Sequence, residues 1–343
     1  MKKLVLTDVG KIEVVEAPIP EPKFGQAVVK IRYAGICGSD LHVLDGLNPN
    51  ARTPLVMGHE ACGEVVAICD DRTDIRVGDK VCAHTIEPCN SCESCASGRE
   101  NLCRQVKIMG TNFDGVFTQY MLVSAKRLIR FNDDVDMKIA ALVEPLTVGV
   151  HDVHRSGLRV GEDVFIAGAG PIGLIIGMVC KMAGAAHVVL GEMNPVRIQM
   201  AQEMGFTVAD TTDPVAFSRV CDEATGGNGF DKSFEITSVQ AGMELCLNVL
   251  KKGGIMVQVG MPPKGTVMGV DSDKIIFSEC ELRGVRHHTM TSMQYAARII
   301  NSGRMNCQLE KLISAVYPME QYAQAMEKAR TDKTMLRVLM DFS

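Results

Sequence analysis

From Asp163 onward the chain alternates short apolar runs with helix-like segments, and the first junction between them reads Gly168-Ala169-Gly170-Pro171-Ile172-Gly173. Few folds accept that arrangement. Spaced glycines after Val164-Phe165-Ile166-Ala167 let the chain turn tightly, admit a ligand close to the backbone, and let the next helix pack hard against its strand. Strand-like runs recur at Asp163–Ala167, His187–Leu190, Thr207–Ala209, Lys232–Ile236, Ile255–Val259 and Glu281–Arg286. Helix-like segments at Leu174–Ala183, Pro195–Met204, Pro214–Ala224 and Val239–Leu250 separate most of them, and Gly184, Gly205 and Gly253-Gly254 stand where helices should stop. The alternation predicts an α/β fold with a doubly wound parallel sheet, in which the helix opening after Gly170 faces phosphate groups. An acidic residue about 20 positions beyond such glycines accepts hydrogen bonds from ribose hydroxyls and repels a 2′-phosphate. Glu192 stands there, so NAD is the expected dinucleotide.

Residues 1–147 read differently. Ala27–Ile31, Gly63–Ala67 and Lys80–Cys82 are short β-like runs broken by Gly and Pro, the pattern of an irregular barrel or sandwich. The tail after residue 287 returns to mixed character, with helices expected at Ser292–Asn301 and Met319–Ala329 and a last strand at Leu336–Phe342. It is expected to pack back on the first stretch, leaving residues 148–287 as an insertion between 1–147 and 288–343. A chain of 343 residues that is 46% hydrophobic can bury both cores.

Thirteen cysteines cannot all pair internally, and no secretion-type leader core precedes Asp8, so metal binding is favoured over a disulfide framework. Cys89, Cys92, Cys95 and Cys103 offer four thiolates from one loop. Such a set closes a tetrahedral zinc shell with no open position, which is a structural site. A second set is assembled from distant positions: Cys37, His59, Glu60 and Glu144. A thiolate, an imidazole and one or two carboxylates can leave a position open, which is what a catalytic zinc needs. The other cysteines read mostly as small hydrophobes among apolar neighbours. A net charge of -5 with a pI near 5.9 argues against nucleic-acid or anionic-membrane surfaces, and no apolar stretch approaches a bilayer span. A cytoplasmic protein is expected.

Cys37-Gly-Ser-Asp-Leu-His42, Gly58-His-Glu60, the four-cysteine lobe, Glu144-Pro-Leu-Thr-Val-Gly-Val-His151 and the Gly168 motif together resemble the zinc-dependent medium-chain dehydrogenases, most closely the polyol (sorbitol-type) branch. The resemblance runs over essentially the whole chain. It implies a GroES-like catalytic domain around a Rossmann insert, two zinc ions and NAD, and oxidation of a secondary alcohol in a small polyhydroxylated compound or sugar acid. It implies zinc held by Cys37, His59 and a carboxylate, and leaves open whether Glu60 binds directly and whether Glu144 is a ligand or a substrate contact. Ser39 and His42 match proton-relay positions, and Asp40 a carboxylate that orients His59. Gly168, Gly170, Pro171, Ile172, Gly173, Glu192, Arg197, Val259-Gly260-Met261 and Val285-Arg286-His287 would line the cofactor, with Arg337 at the pyrophosphate. Val43 and His287 depart from the sorbitol-type pattern at positions bordering the substrate. An L-threonine 3-dehydrogenase-like enzyme, a diol dehydrogenase and a non-catalytic zinc-stabilised nucleotide-binding protein are the alternatives. Relatives of this kind assemble as homodimers or homotetramers.

Overall fold

The structure is a computed structural model that describes residues 1–72 and 74–343. It divides into two compact units, one formed by Met1–Thr147 with His288–Ser343 and the other by Val148–His287. In chain order, the elements that position functional groups in the first unit begin with β1 (Gln26–Gly35), helix α1 (Gly38–Leu44) and β2 (Glu60–Cys69). Helix α2 (Val143–Ser156) contains the boundary between the units. The second unit then runs through β3 (Asp163–Ala167), α3 (Pro171–Met182), β4 (His187–Glu192), β5 (Thr207–Asp210), β6 (Phe230–Glu235), β7 (Leu250–Gln258) and β8 (Glu281–Gly284). The return segment supplies β9 (Ile313–Pro318) and β10 (Arg337–Asp341) to the first unit.

In the first unit β1 is the central strand. It pairs antiparallel with β2 on one side, with β10 beside its last residues, and with Tyr120–Ser124 along its first half. This register sets Gly35 opposite Glu60 on one neighbour and Leu339 on the other, so the tail contributes to the same sheet as the front of the chain. Alternate apolar residues of these strands, including Ile31, Val65, Val338 and Met340, are sealed in one core with Leu4, Phe117 and Phe342. Full burial of such a side chain stabilises by about 1.5–3 kcal/mol against leaving it in water.

The second unit is a six-stranded parallel sheet in the order β5-β4-β3-β6-β7-β8. The residues of β6 are all buried, and β3 reads Val164-Phe-Ile-Ala167 after its first residue, as strands covered on both faces do. Phe165 on β3 is fully buried and meets Phe217 and Phe230. Two of its helices start on side-chain caps: Asn194 accepts from Val196 and Arg197, and Asp213 accepts from Val215 and Ala216. Gly253-Gly254 do not end a helix. The helix before them stops at Asn248, and both glycines lie within β7, where the β6–β7 register shifts. Among the described residues no helix is long and apolar enough to cross a membrane.

Candidate active site

The first unit gathers its chemistry at the end of β1. Cys37 follows the strand with extended backbone and caps α1, and its N–H donates to Asp40 Oδ2 at 2.9 Å. The other oxygen, Oδ1, lies 3.3 Å from His59 Nδ1, and Asp40 is only 1% exposed. One carboxylate therefore fixes both the start of the helix and the orientation of the imidazole. Ser39 is the second residue inside α1; it is half-buried, and His42 one turn on is exposed. The ligand atoms of Cys37, His59 and Glu60 lie within 4.8 Å of one another. Burial alone would lower the His59 pKa, but Asp40 and Cys37 outweigh it and hold it well above its ordinary value. Burial pushes the Glu60 carboxyl up, against the pull of Arg337.

Glu60 owes its place to a glycine. A Cβ on Gly35 would collide with Glu60 Oε2. From β10, Arg337 Nη1 donates to both Glu60 oxygens, at 2.9 and 3.2 Å. Glu144 is not one of the gathered ligands. Its Oε1 lies 3.1 Å from His288 Nε2, which in turn is 3.3 Å from Thr85 Oγ1. Beside them the His84 ring stands edge-on to His288 at 5.2 Å. Burial, then the charges of His288 and Arg127, hold His84 well below its usual pKa. For Glu144 burial acts upward, but the His288 hydrogen bond and the charges of His59, His288 and Arg337 prevail and bring it to about 2.

The four-cysteine loop is a separate centre. Cys89 and Cys95 sulfurs are 4.0 Å apart and Cys92 and Cys95 sulfurs 3.5 Å. A tetrahedron with zinc–sulfur bonds of about 2.3 Å has edges of about 3.8 Å, so the thiolates fit zinc with no place for a fifth group. Backbone N–H groups of Cys89 and Gln105 point at Cys103 Sγ, at 3.2 and 3.3 Å. Hydrogen bonds from the Ser91 hydroxyl and backbone pull the Cys89 thiol down to about 6. Of the remaining cysteines, Cys62, Cys82, Cys180, Cys221, Cys246 and Cys280 are buried, whereas Cys69 and Cys307 are exposed.

In the second unit the expected cofactor residues lie at the carboxyl ends of the parallel strands. Gly168 leaves β3 at φ 109°, where an L side chain is strained, and Gly170 caps α3. A side chain at Gly173 would strike the Gly168 carbonyl. Glu192, ending β4, accepts from Ala169 N–H at 2.9 Å through one oxygen and from Met193 and Asn194 through the other. A Cβ on Gly170 would stand 4.0 Å from Arg197 Nη1, and Arg197 Nε is buried with no partner among the described residues. Val259 and Gly260 both donate to the Glu235 carbonyl, Met261 is exposed, and Val285 donates to Gln258. His287 takes φ 49° at the end of this segment.

Residues 23–133 match the alcohol dehydrogenase GroES-like domain, and residues 171–302 match the zinc-binding dehydrogenase family. The chain belongs to the medium-chain dehydrogenases/reductases. Among its relatives, the L-threonine 3-dehydrogenase of Shewanella woodyi is 32% identical over 327 residues, 94% of each chain. L-idonate 5-dehydrogenase from Escherichia coli K-12 superposes with a TM-score of 0.88 at 29% identity, over 99% of this chain and 97% of that one. A zinc-binding dehydrogenase from Sinorhizobium meliloti 1021, bound to NADP, gives 0.91 at 28% identity, over 99% and 98%.

In this medium-chain dehydrogenase/reductase Arg337 departs from the sequence expectation, and Glu144, whose role was open between ligand and substrate contact, meets a third partner. Arg337 is buried in the first unit with its guanidinium on Glu60, where a pyrophosphate role had been expected, because β10 pairs with β1 at that register. Glu144 lies on His288, apart from Cys37, His59 and Glu60. Three buried residues were not singled out: His84, His288 and Glu235. Glu235 ends β6 fully buried, with its carboxylate accepting from Thr237 and Ser238 N–H at 2.6 and 2.9 Å and from Gln258. It closes the run Phe230-Asp-Lys-Ser-Phe-Glu235, whose polar residues give no local sign that the acid is buried. His288 adjoins the Arg286-His287 pair, and only its side-chain type marked it.

Proposed function

We propose that this chain is a zinc-dependent oxidoreductase that transfers hydride from a secondary alcohol of a polyol, sugar or sugar acid to NAD, giving the ketone. The observation that carries the reading is the set of Cys37, His59 and Glu60, drawn within 4.8 Å with His59 oriented by Asp40. A thiolate, an imidazole and a carboxylate fit a catalytic zinc, and the four-cysteine loop fits a structural one. When bound, zinc supplies polarisation of a substrate hydroxyl and nicotinamide supplies the hydride acceptor. The chain's own contribution is orientation and proton handling. Asp40 holds His59, and Arg337 holds Glu60. Ser39 and His42, three residues apart on α1, share a face of the helix and offer a path from a half-buried hydroxyl to an exposed imidazole. Glu192 at the ribose end of the glycine loop supports NAD over NADP. The same reading has the protein in the cytoplasm as a homodimer or homotetramer, with no nucleic-acid or membrane partner; the unpaired outer edge of β8 is a surface on which a second copy would add strands.

A second reading has specific support. The L-threonine 3-dehydrogenases of Shewanella and Yersinia are 32% identical over more than nine-tenths of the chain, so L-threonine competes with polyols as substrate. The test is NADH formation with a panel of polyols, aldonates, diols and L-threonine, with zinc measured per chain. Turnover on a polyol or aldonate that a chelator abolishes, with two zinc ions per chain, supports the first reading. Turnover on L-threonine alone moves the assignment to the second. One zinc and no turnover on any alcohol leaves a zinc-stabilised nucleotide-binding protein. Ser39→Ala should cut the rate roughly a hundredfold at neutral pH if the relay runs through its hydroxyl.

A further inference from the structure

We propose that His288 is a positioning residue that keeps Glu144 off the catalytic metal and thereby leaves a coordination position for the substrate hydroxyl. This rests on the zinc-site reading above. Glu60 lies beside Cys37 and His59, and Glu144 is close enough that its charge acts on Glu60 and the charge of His59 acts on it. A divalent cation there would attract both, and with Cys37, His59, Glu60 and Glu144 all bound it would have a closed four-ligand shell of the structural kind. The chain separates their roles. Glu60 lies with Cys37 and His59. Glu144 is held by the His288 ring, 3.1 Å from Oε1 to Nε2.

The chemistry of that contact fixes its direction. A carboxylate only accepts, so the Nε2 proton belongs to His288 and points at Glu144. Thr85 Oγ1, 3.3 Å from the same nitrogen, keeps the ring from turning. His84 packs edge-on against it, and His288 is only 1% exposed, so no solvent competes for the proton. His288 Nδ1 is buried with no partner among the described residues. The Glu144 contact at Nε2 is thus this ring's main polar anchor.

The test uses the whole protein loaded with cobalt(II), whose visible bands report ligand number, and imidazole as an added ligand. The Cys37→Ser protein loaded in the same way supplies the blank that removes the four-cysteine site. In the wild type the difference spectrum should show a thiolate-to-cobalt band, and imidazole should shift the metal-centred bands. In His288→Ala the freed Glu144 should shift those bands without imidazole and raise the imidazole concentration needed by about tenfold or more, the scale on which partners of metal ligands act. His288→Gln, which keeps an N–H near the Nε2 position, should resemble the wild type. His288→Ala combined with Glu144→Ala should recover the imidazole response. If His288→Ala does not fold, His288→Asn, whose shorter amide falls short of Glu144, replaces it. A His288→Ala or His288→Asn protein with wild-type bands and imidazole response overturns the proposal while leaving the zinc site standing. A double variant that fails to recover also overturns it. No thiolate band in the wild-type difference spectrum overturns the zinc-site reading and the proposal together.

Discussion

Arg337 and Glu60 form a sealed ion pair across β1: one guanidinium nitrogen reaches both carboxylate oxygens, and the side chains are 5% and 1% exposed. Gly35 on the intervening strand leaves the room that the carboxylate fills. A pair so buried costs much of its attraction in lost hydration, but removing one partner leaves a charge with nowhere to go. Arg337→Met should therefore lower unfolding stability by about 3–5 kcal/mol, and Arg337→Met with Glu60→Met should recover most of the loss. Urea unfolding of the metal-free protein measures both. A single variant as stable as the wild type would mean that Glu60 finds another partner.

Asp40 joins two roles that are usually separate. It accepts the Cys37 N–H and sits 3.3 Å from His59 Nδ1, so its loss disturbs two candidate ligands at once. Asp40→Ala should weaken zinc binding at Cys37 by about 10–100-fold while the four-cysteine site keeps its metal. Competition with a chromophoric chelator resolves the two sites. Equal weakening of both would point to general unfolding.

The second unit was the more legible in sequence because its signals are local. Glycine spacing, apolar runs and side-chain caps each act within a few residues, so β3 through β8 fell close to where their residues pointed. Gly253-Gly254 misled because a positive φ serves an irregular strand as well as a helix end. The first unit was less legible because its site is made by register. Glu60, Gly35 and Arg337 meet only once β2, β1 and β10 are paired, and nothing local to Arg337 announces that a carboxylate 277 positions away waits for it. The His288–Glu144 contact spans 144 positions and has the same cause. Four cysteines in one loop, by contrast, are a centre that needs no tertiary knowledge.

Asp152 gives a pH-dependent prediction away from any metal ligand. It lies on α2, 1% exposed, and neither carboxylate oxygen has a partner among the described residues. Burial holds its pKa well above the ordinary aspartate value. The folded protein therefore keeps a proton that the unfolded chain releases near pH 4, so this residue's contribution is most favourable below about pH 4 and is lost as pH rises toward the folded value. Asp152→Asn removes the titration. Its stability relative to wild type should grow by up to about 1.4 kcal/mol per pH unit across that window and then level off. Urea midpoints of both proteins at about pH 4.5 and about pH 8 test it. An identical difference at the two pH values would show that Asp152 is not the titrating group.

Glu192 carries two loads, and they can be separated. Its carboxylate accepts three backbone N–H groups, from Ala169, Met193 and Asn194, so it braces the glycine loop in addition to the ribose role proposed for it. Glu192→Gln removes the charge that repels a 2′-phosphate but keeps one acceptor oxygen for the loop, so it should shift the NADH-to-NADPH preference toward NADPH with less loss of overall affinity. Glu192→Ala removes the charge together with all three acceptors, so it should weaken both coenzymes, NADH the more, and shift their ratio toward NADPH by about tenfold or more, or about 1.4 kcal/mol. The chain has no tryptophan, so nicotinamide fluorescence reads both dissociation constants without interference from that source. An unchanged ratio in Glu192→Ala would remove the residue from coenzyme choice and leave it as a brace. A ratio that moves in Glu192→Ala but not in Glu192→Gln would assign discrimination to space around the ribose, with the charge serving the loop.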